Sequence, residues 1–326
     1  DDYDPNPENE TVNHMRYFLN DDGETYRVGG LWDEVEEIII PARYKGLPVT
    51  KIDQLFGGSW TQKDGSEFNN VTSLKRATIP TTIVEIQESA WFLAEHIKVT
   101  YSGTKEQFVS ISEGFIPDGT TCSDGVLSDN LEGPEVEEGE TIDYNGFKIY
   151  RLTNEITFHG YYGNDTEISI PATYNGFPVK YCSLTSPTDT PITIETIHQN
   201  SLCEMNWSDY SHIRGITKFT YGYNTRSIGN PFGEWSSSAH FEECMFEIDS
   251  DSRFKIDANG FIISKNDPSV IIYSNGNVSG AINIPSGVKT ISQTAFYKKN
   301  ISSVSFPSTL ETIGRYAFAG TSLTSV

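Results

Sequence analysis

Residues 305–318 read SFPSTLETIGRYAF, and residues 283–296 read NIPSGVKTISQTAF. With Pro285 set against Pro307 the stretches lie 22 residues apart, and the same step carries Val288 to Leu310, Ile291 to Ile313, Ala295 to Ala317 and Phe296 to Phe318. Ile301 with Leu323, then Val304 with Val326, continue the series. The apolar positions are kept while the polar ones drift, which marks a unit repeated for its packing. The same offsets from Pro80 land on Ile83, Ile86, Ala90 and Trp91; from Pro191 they land on Ile194, Ile197, Ser201 and Leu202.

A longer duplication lies over this short one. EIIIPARYKGLPV (37–49) recurs as EISIPATYNGFPV (167–179), 130 residues further on. Pro41 matches Pro171, Tyr44 matches Tyr174, Gly46 matches Gly176 and Pro48 matches Pro178, with Gly30 and Gly160 extending the match upstream. Residues 26–49 and 156–179 are therefore expected to share one conformation, with Gly46 and Gly176 in equivalent turns.

The pattern of one unit predicts its local structure. LKRATIP (74–80) alternates apolar and polar residues, as a half-buried strand does, and Pro80 ends it by having no N–H to give to a ladder. TIVEI and GVKTI read as a second short extended piece with Ile inward. ESAWF, QTAFY and RYAFA are too short to be free-standing helices, and read as single helical turns whose Ala and aromatic pack down. Such a unit cannot bury its apolar face alone, so copies must stack. The expected fold class is a β-rich α/β solenoid with repeats of 22 residues and short helical turns. Its core should contain Ile86, Ile197, Ile291 and Ile313, together with Trp91, Leu202, Phe296 and Phe318.

The consensus L-x-x-V-x-F-P-x-x-L-x-x-I-x-x-x-A-F resembles the BspA-like leucine-rich repeat family of bacterial surface proteins. VTYSGTKEQF (99–108) followed by CSDG (122–125) is similar to that family's closing segment, and FKIDANGFIISKNDPSVIIY (254–273) to its lead-in. The IP-x-x-Y-x-G-x-P-V units match its longer repeat variant. The resemblance covers most of residues 24–326; residues 57–72 and 223–245 fit no repeat and read as insertions or worn repeats. Ser201 and Leu202 stand where Ala and Phe are expected. The chain stops mid-repeat at Val326, so further repeats are expected to follow. The resemblance implies a non-enzymatic cell-surface or secreted bacterial protein that binds protein or glycan ligands on an extended repeat surface, as an adhesin does. A structural spacer displaying another domain, or a glycan-binding accessory module, are the alternatives.

Composition narrows the partners. The net charge is −22 over 326 residues. That argues against nucleic acid, which needs a basic stripe, and against docking on an anionic membrane. No apolar run approaches the roughly 18 residues of a membrane span, so no membrane insertion by this chain is expected; a signal or anchor would lie outside it. Charge also sets boundaries. Residues 1–10, acidic and Pro/Asn-rich, read as a disordered leader. NLEGPEVEEGE (130–140) has the composition of a linker, separating a first repeat block at 11–129 from a second at 141–250. A third segment, 251–326, has its own lead-in and reads as continuous with the second and truncated at its end.

The chemistry-bearing motifs are missing. There is no G-x-S-x-G, H-E-x-x-H, P-loop or G-x-G-x-x-G, so no catalytic residue, cofactor or metal is assigned. His198, Cys203, His212 and Cys244 have no spacing typical of zinc. The four cysteines, Cys122, Cys182, Cys203 and Cys244, read as small buried apolar residues. DSDS (249–252) and DANG (257–260) lack the ligand spacing of a calcium loop, and the latter reads as a turn before FIIS. Trp60 and Trp235 sit in Gly/Ser-rich loops, where an aromatic can stack on a sugar or plug the side of a solenoid. The candidate ligand surface consists of polar strand positions: Lys75, Arg76, Thr78, Lys98, Thr100, Asn283, Ser303 and Ser305.

Overall fold

The computed structural model describes residues 14–31, 34–55, 59–61, 67–69, 73–91, 96–184, 191–203, 213–228 and 244–324. They divide into two units: Asp1–Glu132 with Thr173–Pro178, and Gly133–Ala172 with Val179–Val326. The expected leader at 1–10 lies outside the described residues, as does most of the 57–72 and 223–245 stretches. Within 57–72, strands Ser59–Thr61 and Glu67–Asn69 pair antiparallel.

The first unit opens on an antiparallel hairpin, Met15–Leu19 with Tyr26–Leu31. From there pairing turns parallel: Tyr26–Leu31 runs beside Leu47–Ile52, and that strand beside Glu85–Ile86. A second parallel sheet holds Glu37–Ile39, Arg76–Ile79, Lys98–Tyr101 and Thr120–Cys122. Each coil passes through both sheets in turn, and its inward residues fill the space between them. Ile38, Ile52, Ile79 and Ile86 are all fully buried. Gly125–Leu127 folds back antiparallel and ends the second sheet.

The third coil of this unit carries the helix Lys105–Ile111 between Lys98–Tyr101 and a bridge from Ser112 to Ile86. Thr104 and Gln107 cap it reciprocally. The Thr104 side chain accepts the Gln107 N–H at 3.2 Å, and the Gln107 side chain accepts the Thr104 N–H at 2.9 Å. This is a capping box, which satisfies two of the donors that a helix start leaves without partners. Asp124 accepts the Lys105 N–H at 2.8 Å, tying the helix to the closing hairpin.

The second unit begins with an antiparallel meander, Thr141–Tyr144, Phe147–Leu152 and Glu155–Tyr161. Glu155–Tyr161 then pairs parallel with Phe177–Ser183. A four-stranded parallel sheet holds Glu167–Ile170, Thr196–Gln199, Lys218–Tyr221 and Met245–Ile248. A second meander follows, Phe254–Ile256, Phe261–Ser264 and Val270–Ser274, leading into parallel Thr290–Ile291 and Thr312–Ile313. Gly280–Asn283 and Ile301–Ser305 form the facing sheet, and Phe261, Ile271, Ile291, Ala295 and Phe296 pack between. The outer edge of Met245–Ile248 meets a side chain: the amide of Asn275 accepts the Phe246 N–H at 2.8 Å and donates to its C=O at 3.2 Å, as the next strand's backbone would.

The two sequence registers can now be compared with the pairing. Thr290 and Ile291 face Thr312 and Ile313, and Asn283 faces Ser305, each 22 residues on. The duplicated segments match at the level of pairing irregularities. Tyr26 pairs with Val49 and, after a bulge, Arg27 with Lys51; Ile156 pairs with Val179 and, after the same bulge, Thr157 with Tyr181. Gly46 and Gly176 take φ of 82° and 81°, a region that L side chains rarely adopt.

Two expectations need correction. Among the described residues the only helix is Lys105–Ile111. QTAFY and RYAFA are hydrogen-bonded turns, as are residues 88–91 of ESAWF. The turn at 294–298 includes positive φ at Thr294 and Lys298 and takes its bonds from the next coil: Phe296 N–H donates to Ala317 C=O at 2.8 Å and Lys298 N–H to Ala319 C=O at 2.8 Å. Ladder bonds between coils alternate with local ones, such as Tyr297 N–H to Thr294 C=O at 2.9 Å, so no continuous helix forms. Second, Ile313 is 46% exposed and Phe318 only half-buried. Their register is the expected one, and Phe318 stacks on Phe296 at 4.9 Å. Thr312–Ile313, however, is the end strand of its sheet among the described residues, so none of them packs beyond it. Leu202 is also half-buried, whereas Ile86, Ile197, Ile291, Trp91 and Phe296 are core. Ser201 fits its Ala position because its hydroxyl accepts the Cys203 N–H at 3.3 Å while fully buried.

Candidate functional site

A parallel strand in a stacked coil sends alternate side chains inward and outward, and parallel register places equivalent residues side by side, about 4.8 Å apart. In the first unit Ile38, Ala77 and Val99 form a buried row, and Ile79 pairs with Tyr101 in the next. The rows between them face solvent. One is Glu37, Arg76 and Lys98; the other is Ile39, Thr78, Thr100 and Thr121. Among the expected surface residues, Arg76, Thr78, Lys98 and Thr100 are thus neighbours on two strands of one face, with Lys75 just before the first. Asn283 and Ser305 are partners across the Gly280–Asn283/Ile301–Ser305 pair of the second unit, and Ser303 faces Ala281 there. All three are exposed.

The electrostatics of the first ladder are partly self-neutralised. Lys75 pairs with Glu36 at 2.6 Å and Arg76 with Glu37 at 3.2 Å. The Lys75 ammonium holds the Glu36 carboxyl below its ordinary range. These exposed pairs contribute little to stability; they fix where the charges stand. Lys98 is exposed and has no acid partner among the described residues, which leaves a local cationic excess on a strongly acidic chain.

The reading of the sequence missed a second ladder. In the second unit, Glu167, Thr196, Lys218 and Met245 form one outward row, and Ser169, His198, Thr220 and Glu247 the other. His198 meets Glu167 at 2.7 Å and Lys218 meets Glu247 at 2.8 Å. A signal was available: IKVTY (97–101) and TKFTY (217–221) place Lys98 with Lys218 and Thr100 with Thr220. Glu37 and Ile39 were hidden by the run of three isoleucines at 38–40, which masks alternation.

Other groups separate rather than converge. His198 lies on the outward ladder, while Cys203 is buried and its thiol donates toward Val179 C=O at 3.8 Å. All four cysteines are buried and none forms a disulfide among the described residues, and burial pushes the Cys244 thiol up to about 12. Among the described residues no three His, Cys, Asp or Glu side chains are grouped as metal ligands would be. Asp257 accepts the N–H groups of Asn259 and Phe261 at 2.8 and 2.9 Å, and Gly260 supplies a φ of 81°, which makes DANG a turn. Trp91 is core. His212, Trp32, Trp207, Trp235 and the Trp60 side chain lie outside the described residues. No helix among the described residues is long and apolar enough to cross a membrane.

Stacked coils of two parallel sheets, with a strand, a proline stop and a turn per repeat, define a leucine-rich-repeat β-solenoid. Residues 272–326 match the family model described as a BspA type leucine rich repeat region (6 copies), so the chain carries repeats of that type. No curated protein matches the chain. Two solved structures are similar to it. One is the pneumococcal vaccine antigen PcpA, at 15% identity over 94% of this chain and 66% of that one, with a TM-score of 0.31. The other is a leucine rich cell surface protein from Faecalibacterium prausnitzii A2-165, at 17% identity over 94% of this chain and 72% of that one, with a TM-score of 0.23.

Proposed function

We propose that this chain is a non-enzymatic bacterial protein of the cell surface or the secreted fraction, and that it binds a protein or glycan ligand on its outward strand ladders, as an adhesin does. The observation that carries the reading is the first ladder. Arg76, Lys98, Thr78 and Thr100 are held in register by backbone pairing, so a ligand meets donors already spaced and oriented. Repeat solenoids use extended surfaces of this kind for binding. In this reading 11–129 and 141–250 are separate repeat blocks, and 251–326 continues the second. The test is a host-protein pull-down alongside a glycan array, run with the chain and with an Arg76→Glu/Lys98→Glu variant of unchanged melting temperature. Loss of captured ligand in the variant supports the reading. Capture of nothing by either chain, or capture indifferent to the charge reversal, favours a spacer that displays other domains.

A further inference from the structure

The duplicated hairpins provide an internal comparison. The first runs from Arg43–Tyr44 into Leu47–Ile52, the second from Thr173–Tyr174 into Phe177–Ser183. Their pairings correspond: Arg43 with Pro48 and Tyr44 with Leu47, then Thr173 with Pro178 and Tyr174 with Phe177. Both turn through a left-handed pair, Lys45–Gly46 at φ 47° and 82° and Asn175–Gly176 at 47° and 81°. With the backbones alike, the same N–H groups face outward.

Among the described residues only the second of these edges is filled. Asn130–Leu131 lies parallel along Thr173–Tyr174. Thr173 N–H donates to Asp129 C=O at 3.2 Å and Asn175 N–H to Leu131 C=O at 3.0 Å. The Asn130 amide oxygen accepts the Gly176 N–H at 2.8 Å and the Thr173 hydroxyl at 2.9 Å. Thr173 is fully buried in consequence. In the first copy Arg43–Tyr44 is the end strand of its sheet among the described residues, and Ala42, Arg43, Lys45 and Gly46 are exposed.

The side chains on the open edge indicate what fits it. Arg43 and Lys45 stand where the second copy has neutral Thr173 and Asn175, and the strand that fills the second edge is acidic, running SDNLEGPEVEE from Ser128 to Glu138. We infer that the Arg43–Gly46 edge is a docking site for an acidic extended strand of the Asp-Asn-aliphatic kind, the closing segment of a separate repeat block, added in parallel as Asn130–Leu131 is added to the second hairpin. Backbone bonds provide the pairing, and an Asn amide at the turn provides register. The open edge is rimmed by charge, one of the ways proteins prevent unwanted strand pairing, and that same charge selects an acidic strand over others.

The experiment titrates a blocked peptide of residues 126–133, VLSDNLEG, into the whole chain and reads the heat. The expected result is a one-to-one complex that weakens as salt is added. Asn130→Ala in the peptide should weaken it by about fivefold, since the Gly46 N–H loses its acceptor. Arg43→Thr in the protein restores the hydroxyl of the second copy and should keep the peptide bound. Arg43→Glu/Lys45→Asn reverses the edge charge at exposed positions, and places at 45 the residue the second copy has there. It should lose binding while melting like the wild type. No heat from the wild type or Arg43→Thr at about 1 mM peptide overturns the inference. So does binding that survives Arg43→Glu/Lys45→Asn, which would mark strand exchange at the second hairpin.

Discussion

The segments 26–52 and 156–182 differ in residue type at most outward positions, while their inward positions stay apolar and buried in both copies. Val28 and Phe158, Ile38 and Ile168, Val49 and Val179, and Ile52 and Cys182 are all buried in both copies. Val49 N–H reaches Ala42 C=O at 3.0 Å, and Val179 N–H reaches Ala172 C=O at 3.0 Å. Outward, Arg27 and Asp53 form an ion pair at 2.8 Å where the second copy has Thr157 and Ser183. Ala42 is exposed, while Ala172 is completely buried. Packing and left-handed glycines hold the fold; the surface around it is free to acquire neighbours.

The sharpest way to break this comparison is to place the same charge at both alanines. Ala172→Glu should destabilise by about 3–5 kcal/mol, the range for a buried charge without its partner, whereas Ala42→Glu should stay within about 0.5 kcal/mol. Denaturant titration of the two variants checks this, and equal costs would mean the environments are not as different as described. Val49→Ala and Val179→Ala test the opposite claim, that the inward halves are equivalent. Each removes two methyl groups from a fully buried site and should cost about 2 kcal/mol, lost transfer plus a residual cavity. A cost confined to one copy would sink the equivalence.

Asn130→Ala sharpens the difference further. It removes the acceptor for Gly176 N–H and the Thr173 hydroxyl, and should cost about 1–2 kcal/mol. Hydrogen exchange should quicken at 173–176 and stay as it was at 43–46. The smallest effect concerns the Arg27–Asp53 pair. Burial raises the Asp53 carboxyl above its ordinary value, outweighing the pull of Arg27. The folded chain therefore holds that proton to a higher pH than the unfolded chain does, and this group's contribution to stability falls as pH rises through the window between the two values. Asp53→Asn should remove that slope from a stability curve measured across mildly acidic pH.

The register of the repeats was legible in the sequence because it rests on apolar volume, proline stops and glycine φ, which recur in the letters themselves. Gly46 and Gly176 were placed correctly from spacing alone. The turns QTAFY and RYAFA differ from single helical turns because local bonds alternate with bonds between the two coils, and a partner 21 residues away, as Ala317 is for Phe296, leaves no trace in local propensity. Ile313 was misjudged for another reason: register determines which way a side chain points, but its burial depends on what lies beyond it. Half of the outward ladder escaped notice because polar residues drift between copies; only the paired strands bring Lys218, His198 and Glu247 into rows.

The hairpin Met15–Leu19/Tyr26–Leu31 and the two meanders also bear on the order in which the chain becomes structured. Leu152 and Glu155 pair across two residues, and Phe261 and Ser274 close within one short meander, whereas Thr290 finds Thr312 only after a 22-residue excursion. Short closures lose less chain entropy and form sooner than long ones. Each antiparallel opening is thus a place where structure starts, presenting a ready edge onto which the next coil can zip. With three such openings in 326 residues, the chain need not wait for its full length to be made before its first stack begins to grow.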